Sequence, residues 1–172
     1  PAMLRLAGEK ADGAMGFLLT PNFIEKHMYP HIAEGAAKAG RDVSDIDLAA
    51  YVICSCSEDR AEAIRRARIQ VGCYVAYPVG TFIVDEEGLS EDRDAVVAAL
   101  MSEGPQVLER VTSDALLERF SITGTPDECR EQFELYKDVP HLVLHTPYVP
   151  PLSAYESEDA FRNIVSAFAR CE

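Results

Sequence analysis

The sequence has few basic residues for its size. It contains 16 Lys and Arg against 29 Asp and Glu, which gives a formal net charge of −13. Proteins that bind nucleic acid usually gather Lys and Arg on one face, where these side chains contact phosphates. The acidic residues here are scattered through stretches such as 85–94, which are typical of solvated helix faces. The composition therefore argues against a nucleic-acid partner.

Long apolar runs and a disulfide framework are also missing. No apolar run approaches the roughly 20 residues that a membrane-spanning helix needs. The first residues lack the basic and then apolar segments of a secretory signal. The five cysteines are an odd number without framework spacing, so we expect free thiols in a reducing compartment. Together these observations predict a cytoplasmic protein with no membrane partner.

The sequence also lacks the short motifs of several enzyme classes. It has no nucleophile elbow, no Walker loop and no paired catalytic carboxylates. The glycines between positions 8 and 16 do not follow the G-x-G-x-x-G spacing of a dinucleotide site. A function must therefore be sought in the fold and in the ends of its strands.

Two groups of residues have a spacing that can bind metal. His27, His31 and Glu34 share one helical face, although a proline distorts the helix between them. Cys54 and Cys56 point to the same side of a predicted strand. We favour a surface cluster for the first group and buried apolar thiols for the second, and so predict no metal site.

Three apolar runs predict strands that alternate with helices. The runs cover Ala14–Leu19, Leu48–Cys56 and Leu142–His145. Near-continuous apolar character is typical of parallel strands that are buried on both faces. Strands that alternate with helices favour right-handed crossovers and a parallel sheet. The sequence therefore predicts an α/β fold, with residues 1–172 as one domain or part of a larger one.

Capping signals predict where the helices begin. Thr20 and Pro21 mark the start of a helix that runs to Ala39, with a kink at Met28–Pro30. Thr125 and Glu128 form a capping box before another helix.

Two further helices follow from a cap and from an apolar face. Ser57 is predicted to cap a charged helix. A last helix over 158–171 is predicted to have Phe161, Ile164, Val165 and Phe168 on one face. Residues 77–120 contain several short helical pieces and are interpreted as a helical insertion.

Four stretches, in this order along the chain, resemble a known family. They are "MLRLAGEKADGAMGFLLTPNF", "EGAAKAGRD", "IDLAAYVICSCS" and "FSITGTPDECREQFELY". Together they resemble the C-terminal half of luciferase-like oxidoreductases that use flavin or deazaflavin. Within that superfamily the chain is most similar to the branch that uses coenzyme F420, which includes methylenetetrahydromethanopterin reductase-like enzymes.

The resemblance implies a fold and an activity. The family fold is a (β/α)8 TIM barrel with a helical insertion before the last strand. The three predicted strands would be the last three of the barrel, and the first five would lie outside these 172 residues. Family members transfer hydride between the cofactor and a small organic substrate, so the full-length protein would be an oxidoreductase. Most catalytic residues would belong to the missing N-terminal half.

The resemblance also implies residues that bind the cofactor. Its phosphate would lie at the start of the first helix, where free N–H groups and the helix dipole favour an anion. Ala2 and Met3 would contact it through their backbone, although an ordinary helix start explains these residues equally well. Leu19 and Thr20 lie at the end of a strand, where barrel enzymes place functional groups. Thr20 is explained at least as well as a helix cap.

Other residues near the carboxyl ends of the predicted strands are candidates for substrate contact and proton transfer. Phe17, Thr146 and Tyr148 are the candidate substrate-binding residues. His145 is the only imidazole that follows a predicted strand, and it is a candidate proton donor. A hydrogen-bonded structural histidine is the alternative.

Two alternatives to a deazaflavin enzyme remain. One is an FMN-dependent monooxygenase of the same superfamily. The other is a non-catalytic half-barrel that assembles with a partner or as a homodimer, because a half-barrel exposes strand edges and apolar faces.

Overall fold

In a computed structural model, which describes residues 1–169, four parallel strands lie among ten helices. The strands are β1 (Gly13–Phe17), β2 (Asp47–Cys56), β3 (Ser121–Gly124) and β4 (His141–His145). The helices of the first half are α1 (Ala2–Lys10), α2 (Pro21–Phe23), α3 (Tyr29–Lys38) and α4 (Arg60–Val75). The later helices are α5 (Thr81–Glu86), α6 (Ser90–Glu103), α7 (Leu108–Val111), α8 (Asp114–Phe120), α9 (Pro126–Phe133) and α10 (Ala154–Phe168).

Strand β2 is the centre of the sheet. It pairs in parallel with β1 over 47–51 and with β4 over 49–53, so these two strands must lie on its opposite edges. Its last residues, Ile53–Cys56, pair with β3. Because all strands are parallel, their carboxyl ends meet at one edge of the sheet, where α/β proteins place ligands. The predicted α/β fold with a parallel sheet is therefore confirmed.

Strand β3 was not expected from the sequence. Its four residues, Ser121–Gly124, are too few to show a period and run directly into the Thr125 helix cap. The side-chain amide of Gln132 bonds to both the N–H and the C=O of Thr123, at 2.9 Å each. This amide occupies backbone groups that a further strand would otherwise pair with, which explains why so short a strand is stable.

The segment after β1 begins as predicted. The Thr20 hydroxyl accepts a hydrogen bond from the N–H of Phe23 and so caps α2. The expected interruption near Pro30 is a π-helical turn over Ile24–Met28, between α2 and α3. A π turn changes the hydrogen-bond register, which suits a chain that meets a proline lacking an N–H.

Helices α1 and α3 cross in direct backbone contact. A Cβ atom on Gly8 would lie 2.1 Å from the carbonyl oxygen of Ile32, and one on Gly35 would lie 2.0 Å from that of Arg5. Only glycine fits at either position. This crossing fixes α1 against α3, and Leu4 of α1 packs against the core next to it.

The two faces of the sheet have different covers. Residues 48, 50, 52, 54 and 56 of β2 form the covered face, which packs in one core with side chains of α3, α9 and α10. The opposite face carries Met15, Phe17, Tyr51, Ile53 and His145 and is called the open face. Helix α4 and the helices of residues 77–120 pack in a second core, which covers the open face at Ile53, and the neighbouring Ser55 is buried against α4.

Two helix boundaries differ from the predictions. The cap of α4 is Asp59 and not Ser57, because the Asp59 carboxylate accepts the N–H groups of Ala61 and Glu62. The Ser57 hydroxyl instead accepts the N–H of Asp59.

The last helix begins earlier than predicted. Ser153 and Glu156 form a capping box that starts α10 at Ala154. Its packed residues are Ala160, Ile164 and Ala167, whereas Phe161 and Val165 are exposed. The buried stripe thus keeps Ile164 of the predicted apolar face, with Phe168 partly buried against the same core, and adds two alanines in place of Phe161 and Val165. Cys171 lies outside the described residues.

Within residues 1–169 no helix combines the length and the apolar character needed to cross a membrane. The cytoplasmic location stays a prediction.

Candidate active site at the carboxyl end of the sheet

Aromatic side chains gather on the open face at the carboxyl ends of β1, β2 and β4. The ring centroids of Phe17 and Tyr51 are 4.7 Å apart, and that of His145 lies 5.8 Å from Tyr51 and 6.3 Å from Phe17. The parallel register pairs Phe17 with Tyr51, and it pairs His145 with Ile53, two residues further along β2 on the same face. The result is an aromatic wall with one imidazole at its end.

A hydrogen-bonded chain connects this imidazole to the surface. The Tyr74 hydroxyl lies 3.1 Å from His145 Nε2 and 3.1 Å from the Tyr148 hydroxyl. Burial lowers the pKa of His145 below its ordinary value, which favours the neutral imidazole. Burial, together with the hydrogen bond to Tyr148, raises the pKa of Tyr74. These shifts keep the Tyr74 proton in place, so Tyr74 can donate to a neutral His145.

The loop after β4 is held by the side chain of Gln70, which belongs to α4. The Gln70 side chain is fully buried, and its Oε1 accepts the N–H groups of Tyr148 and Val149 at 2.9 and 3.2 Å. The Thr146 hydroxyl in the same loop is buried and has no hydrogen-bond partner within the described structure. Such a hydroxyl is available to a ligand, because an unsatisfied buried polar group is costly.

Leu19 and Thr20 follow the carboxyl end of β1, and both residues are buried. Thr20 is fully buried, and its hydroxyl donates to the carboxylate of Glu87 while it accepts the N–H of Phe23. The Leu19 side chain lies in the core of the covered face. Leu19 also borders a groove beside β1, and direct contact of these two residues with a cofactor stays a prediction.

Ala2 and Met3 lie in the first turn of α1, and both are exposed. The N-terminus of this nine-residue helix has no side-chain cap within the described residues. The contact of these two residues with a cofactor phosphate stays a prediction.

A groove lies beside β1. It has a volume of about 610 Å³ and is lined mainly by apolar side chains, among them those of Met15, Phe17, Tyr77, Val79 and Tyr148. The predicted substrate residues Phe17 and Tyr148 share this groove. Thr146 does not line it.

In the first group with metal-like spacing, His27 pairs with a residue outside the group, whereas His31 lies near Glu34 of the group itself. His27 Nε2 lies 2.8 Å from a Glu86 oxygen, and His31 Nδ1 lies 3.8 Å from a Glu34 oxygen. Among residues 1–169 no three His, Cys, Asp or Glu side chains are arranged to hold a metal ion. Cys54 and Cys56 are free, buried thiols on the covered face, as predicted.

The comparison with known families accounts for most of the chain. A family model described as luciferase-like monooxygenase matches residues 1–140. The chain belongs to the luciferase-like monooxygenase family. The resemblance of the four sequence stretches is thus confirmed at the level of the family.

Named relatives within the luciferase-like family give further detail. The 5,10-methylenetetrahydromethanopterin reductase of Methanolobus tindarius is 33% identical over 141 residues, which are 81% of this chain and 43% of that protein. The F420-dependent glucose-6-phosphate dehydrogenase of Rhodococcus erythropolis is 28% identical over 86% of this chain and 40% of its own length.

A solved structure shares the fold of this chain. The coenzyme F420-dependent tetrahydromethanopterin reductase of Methanopyrus kandleri matches with a TM-score of 0.77 and 28% identity, over 98% of this chain and 48% of that one. The chain therefore spans less than half the length of each of these relatives.

Sequence reasoning missed several residues of the site. Tyr51 was seen only as part of a strand, although its alternation with Val52 places it on the open face. Tyr74 lies at the end of a charged helix, and only tertiary packing brings its hydroxyl to His145. Glu87 lies 67 residues from Thr20 and had no local signal at all.

Proposed function

We propose that the chain forms the C-terminal half of a (β/α)8 barrel in a coenzyme F420-dependent oxidoreductase. The observation that supports this most is the aromatic wall with His145 at the carboxyl end of a parallel sheet, in a chain whose named relatives are F420-dependent enzymes. Barrel enzymes place their active sites at this end. The substrate would be a small organic molecule.

In this proposal β1, β2 and β4 are the last three barrel strands. The open face is the barrel interior, and the first five strands lie outside the 172 residues. The helical insertion before the last strand comprises α4 together with residues 77–120, because both pack in one core over the carboxyl end. The insertion thus begins at Arg60, earlier than the sequence suggested.

The residues at the carboxyl end of the sheet fit the phosphate and the planar ring system of such a cofactor. The uncapped first turn of α1, at Ala2 and Met3, would hold a phosphate through backbone N–H groups. Phe17 and Tyr51 offer apolar rings to a planar ring system. When bound, the cofactor supplies the hydride chemistry, and the protein supplies binding and orientation.

The remaining candidates act on the substrate. Thr146 offers its unpartnered hydroxyl, and Phe17 and Tyr148 line the groove beside β1. His145 Nε2 is hydrogen-bonded to the Tyr74 hydroxyl, which is hydrogen-bonded in turn to the exposed Tyr148. It is placed to donate or accept a proton at the reacting centre.

Fluorescence titration of the chain with coenzyme F420, and separately with FMN, tests the proposal. We expect F420 to bind, and His145→Gln to weaken binding by about threefold to tenfold through loss of one ring contact. His141→Gln is the matched control, since His141 lies at the other end of β4, where it is exposed and pairs with Asp47. Failure of F420 to bind the unmodified chain would sink the proposal, and binding of FMN alone would favour the monooxygenase alternative.

The open face supports a second candidate, a non-catalytic half-barrel. Met15 is 60% exposed and Val79 88% exposed beside the free edge of β1. Exposed apolar surface of this kind marks an interface. A homodimer or a partner half-barrel would cover it. Light scattering decides: a stable monomer at micromolar concentration counts against this candidate.

A further inference from the structure

The chain turns sharply where β1 ends. Leu18 adopts a φ of +55°, and it is the only non-glycine residue with positive φ within residues 1–169. A leucine in this left-handed conformation is strained and persists only where the surroundings hold it. The turn sends Leu18 into the core of the helices over the carboxyl end and Leu19 into the core of the covered face.

The two residues after Leu18 are held by separate elements. The Tyr136 hydroxyl donates to the carbonyl oxygen of Leu19 at 3.3 Å. The Thr20 hydroxyl donates to the Glu87 carboxylate. The turn is thus fixed by one contact from the segment after α9 and one from the segment 77–120.

Glu87 is the centre of the second contact. Its Oε1 also accepts the side-chain amide of Asn22 at 3.2 Å, and its Oε2 lies 3.4 Å from Arg119 Nη1. The Glu87 side chain is only 3% exposed, whereas that of Arg119 is 49% exposed. A buried carboxylate with three partners on two different segments has one stable position.

We propose that Glu87 is a positioning residue for the candidate active site. By holding Thr20, it fixes the turn at Leu18 and therefore the direction of Phe17, whose ring forms the wall with Tyr51 and His145. The segment 77–120 thus orients the aromatic wall without contributing a ring to it, although its Tyr77 and Val79 line the neighbouring groove. The effect on cofactor affinity rests on the proposed function, whereas the effect on the turn does not.

Hydrogen exchange of backbone amides tests the positioning role directly. In Glu87→Ala we expect the amides of 18–24 to exchange about tenfold faster, as local opening becomes easier, while the amides of β4 keep their rates. Glu87→Gln keeps an oxygen acceptor for Thr20 and is expected to restore part of the protection. Glu103→Gln is the control, because Glu103 lies in the same segment and forms an exposed pair with Arg110.

A double variant identifies the contact responsible. Thr20→Val removes the hydroxyl and keeps the shape, so Glu87→Ala combined with Thr20→Val is expected to exchange no faster than the faster single variant. Unchanged exchange in Glu87→Ala, or an increase spread evenly over all strands, would overturn the proposal.

Coupling to the site is read from F420 titration of the same variants. We expect Glu87→Ala to weaken F420 binding about tenfold and Glu103→Gln to leave it unchanged. Faster exchange at 18–24 with unchanged F420 affinity would overturn the coupling to the site. If the unmodified chain binds no F420, the proposed function fails, while the exchange data still decide whether Glu87 holds the turn.

Discussion

The two faces of the sheet are built from the same strands but have different surroundings. On the covered face, β2 places Ala50, Val52, Cys54 and Cys56 under helices, each at 2% exposure or less. On the open face, Met15 and Phe17 of β1 are 60% and 47% exposed. The covered face is fully packed, whereas the open face carries the aromatic side chains and His145. The difference separates the residues that hold the fold from those available for chemistry.

The carboxyl end of β1 is where these two faces meet. There Leu18 and Leu19, neighbours in sequence, enter different cores. Leu18 is strained because the chain must turn sharply for these two neighbouring side chains to reach different cores. The Tyr136 hydroxyl bonds to Leu19 and the Glu87 carboxylate to Thr20, so each of the two residues after the turn is held by another segment.

Replacing a methionine by alanine on each of the two faces is expected to give the largest difference in the free energy of unfolding. Met28→Ala, at a residue 3% exposed in the core of the covered face, should lower the free energy of unfolding by about 2–4 kcal/mol because it leaves a cavity. Met15→Ala on the open face should change it by less than about 0.5 kcal/mol. Urea denaturation of both variants measures the difference. A large loss in Met15→Ala would mean that the open face is covered in solution, as in the half-barrel assembly.

A smaller effect is expected where the faces meet. Tyr136→Phe removes the hydroxyl that donates to the Leu19 carbonyl and leaves a buried acceptor unpaired, so stability should fall by about 1 kcal/mol. Tyr155→Phe is the control, because Tyr155 is 77% exposed and its loss of a hydroxyl should be neutral. Equal stability of the two variants would show that the Tyr136 bond does not support the turn.

The covered face could be predicted from the sequence, and most of the open face could not. Near-continuous apolar runs identify β2, and Thr125 with Glu128 identifies the start of α9, because these signals are local. The candidates Phe17, His145 and Tyr148 were found because they lie in or just after predicted strands. Tyr74 and Glu87 were not, since their roles depend on packing between residues more than 60 positions apart. At Thr20 the helix cap that the local sequence predicts is present, whereas the bond of its hydroxyl to Glu87 had no local signal.

The smallest expected effect is a pH dependence on the open face. Burial lowers the pKa of His145 in the folded chain below its usual value near 6.5. The unfolded chain therefore binds a proton first as the pH falls, so the stability that neutral His145 contributes is complete above about pH 6.5 and decreases below it.

His145→Gln keeps a polar partner for the Tyr74 hydroxyl but cannot titrate, so between about pH 7.5 and 5.5 it should lose less stability than the unmodified chain. His141→Gln, at the exposed and opposite end of β4, should keep the slope of the unmodified chain. Urea denaturation across this range measures the three slopes. An identical slope in His145→Gln would mean that His145 can be protonated in place, and the open face would then be as well solvated at its aromatic wall as it is at Met15.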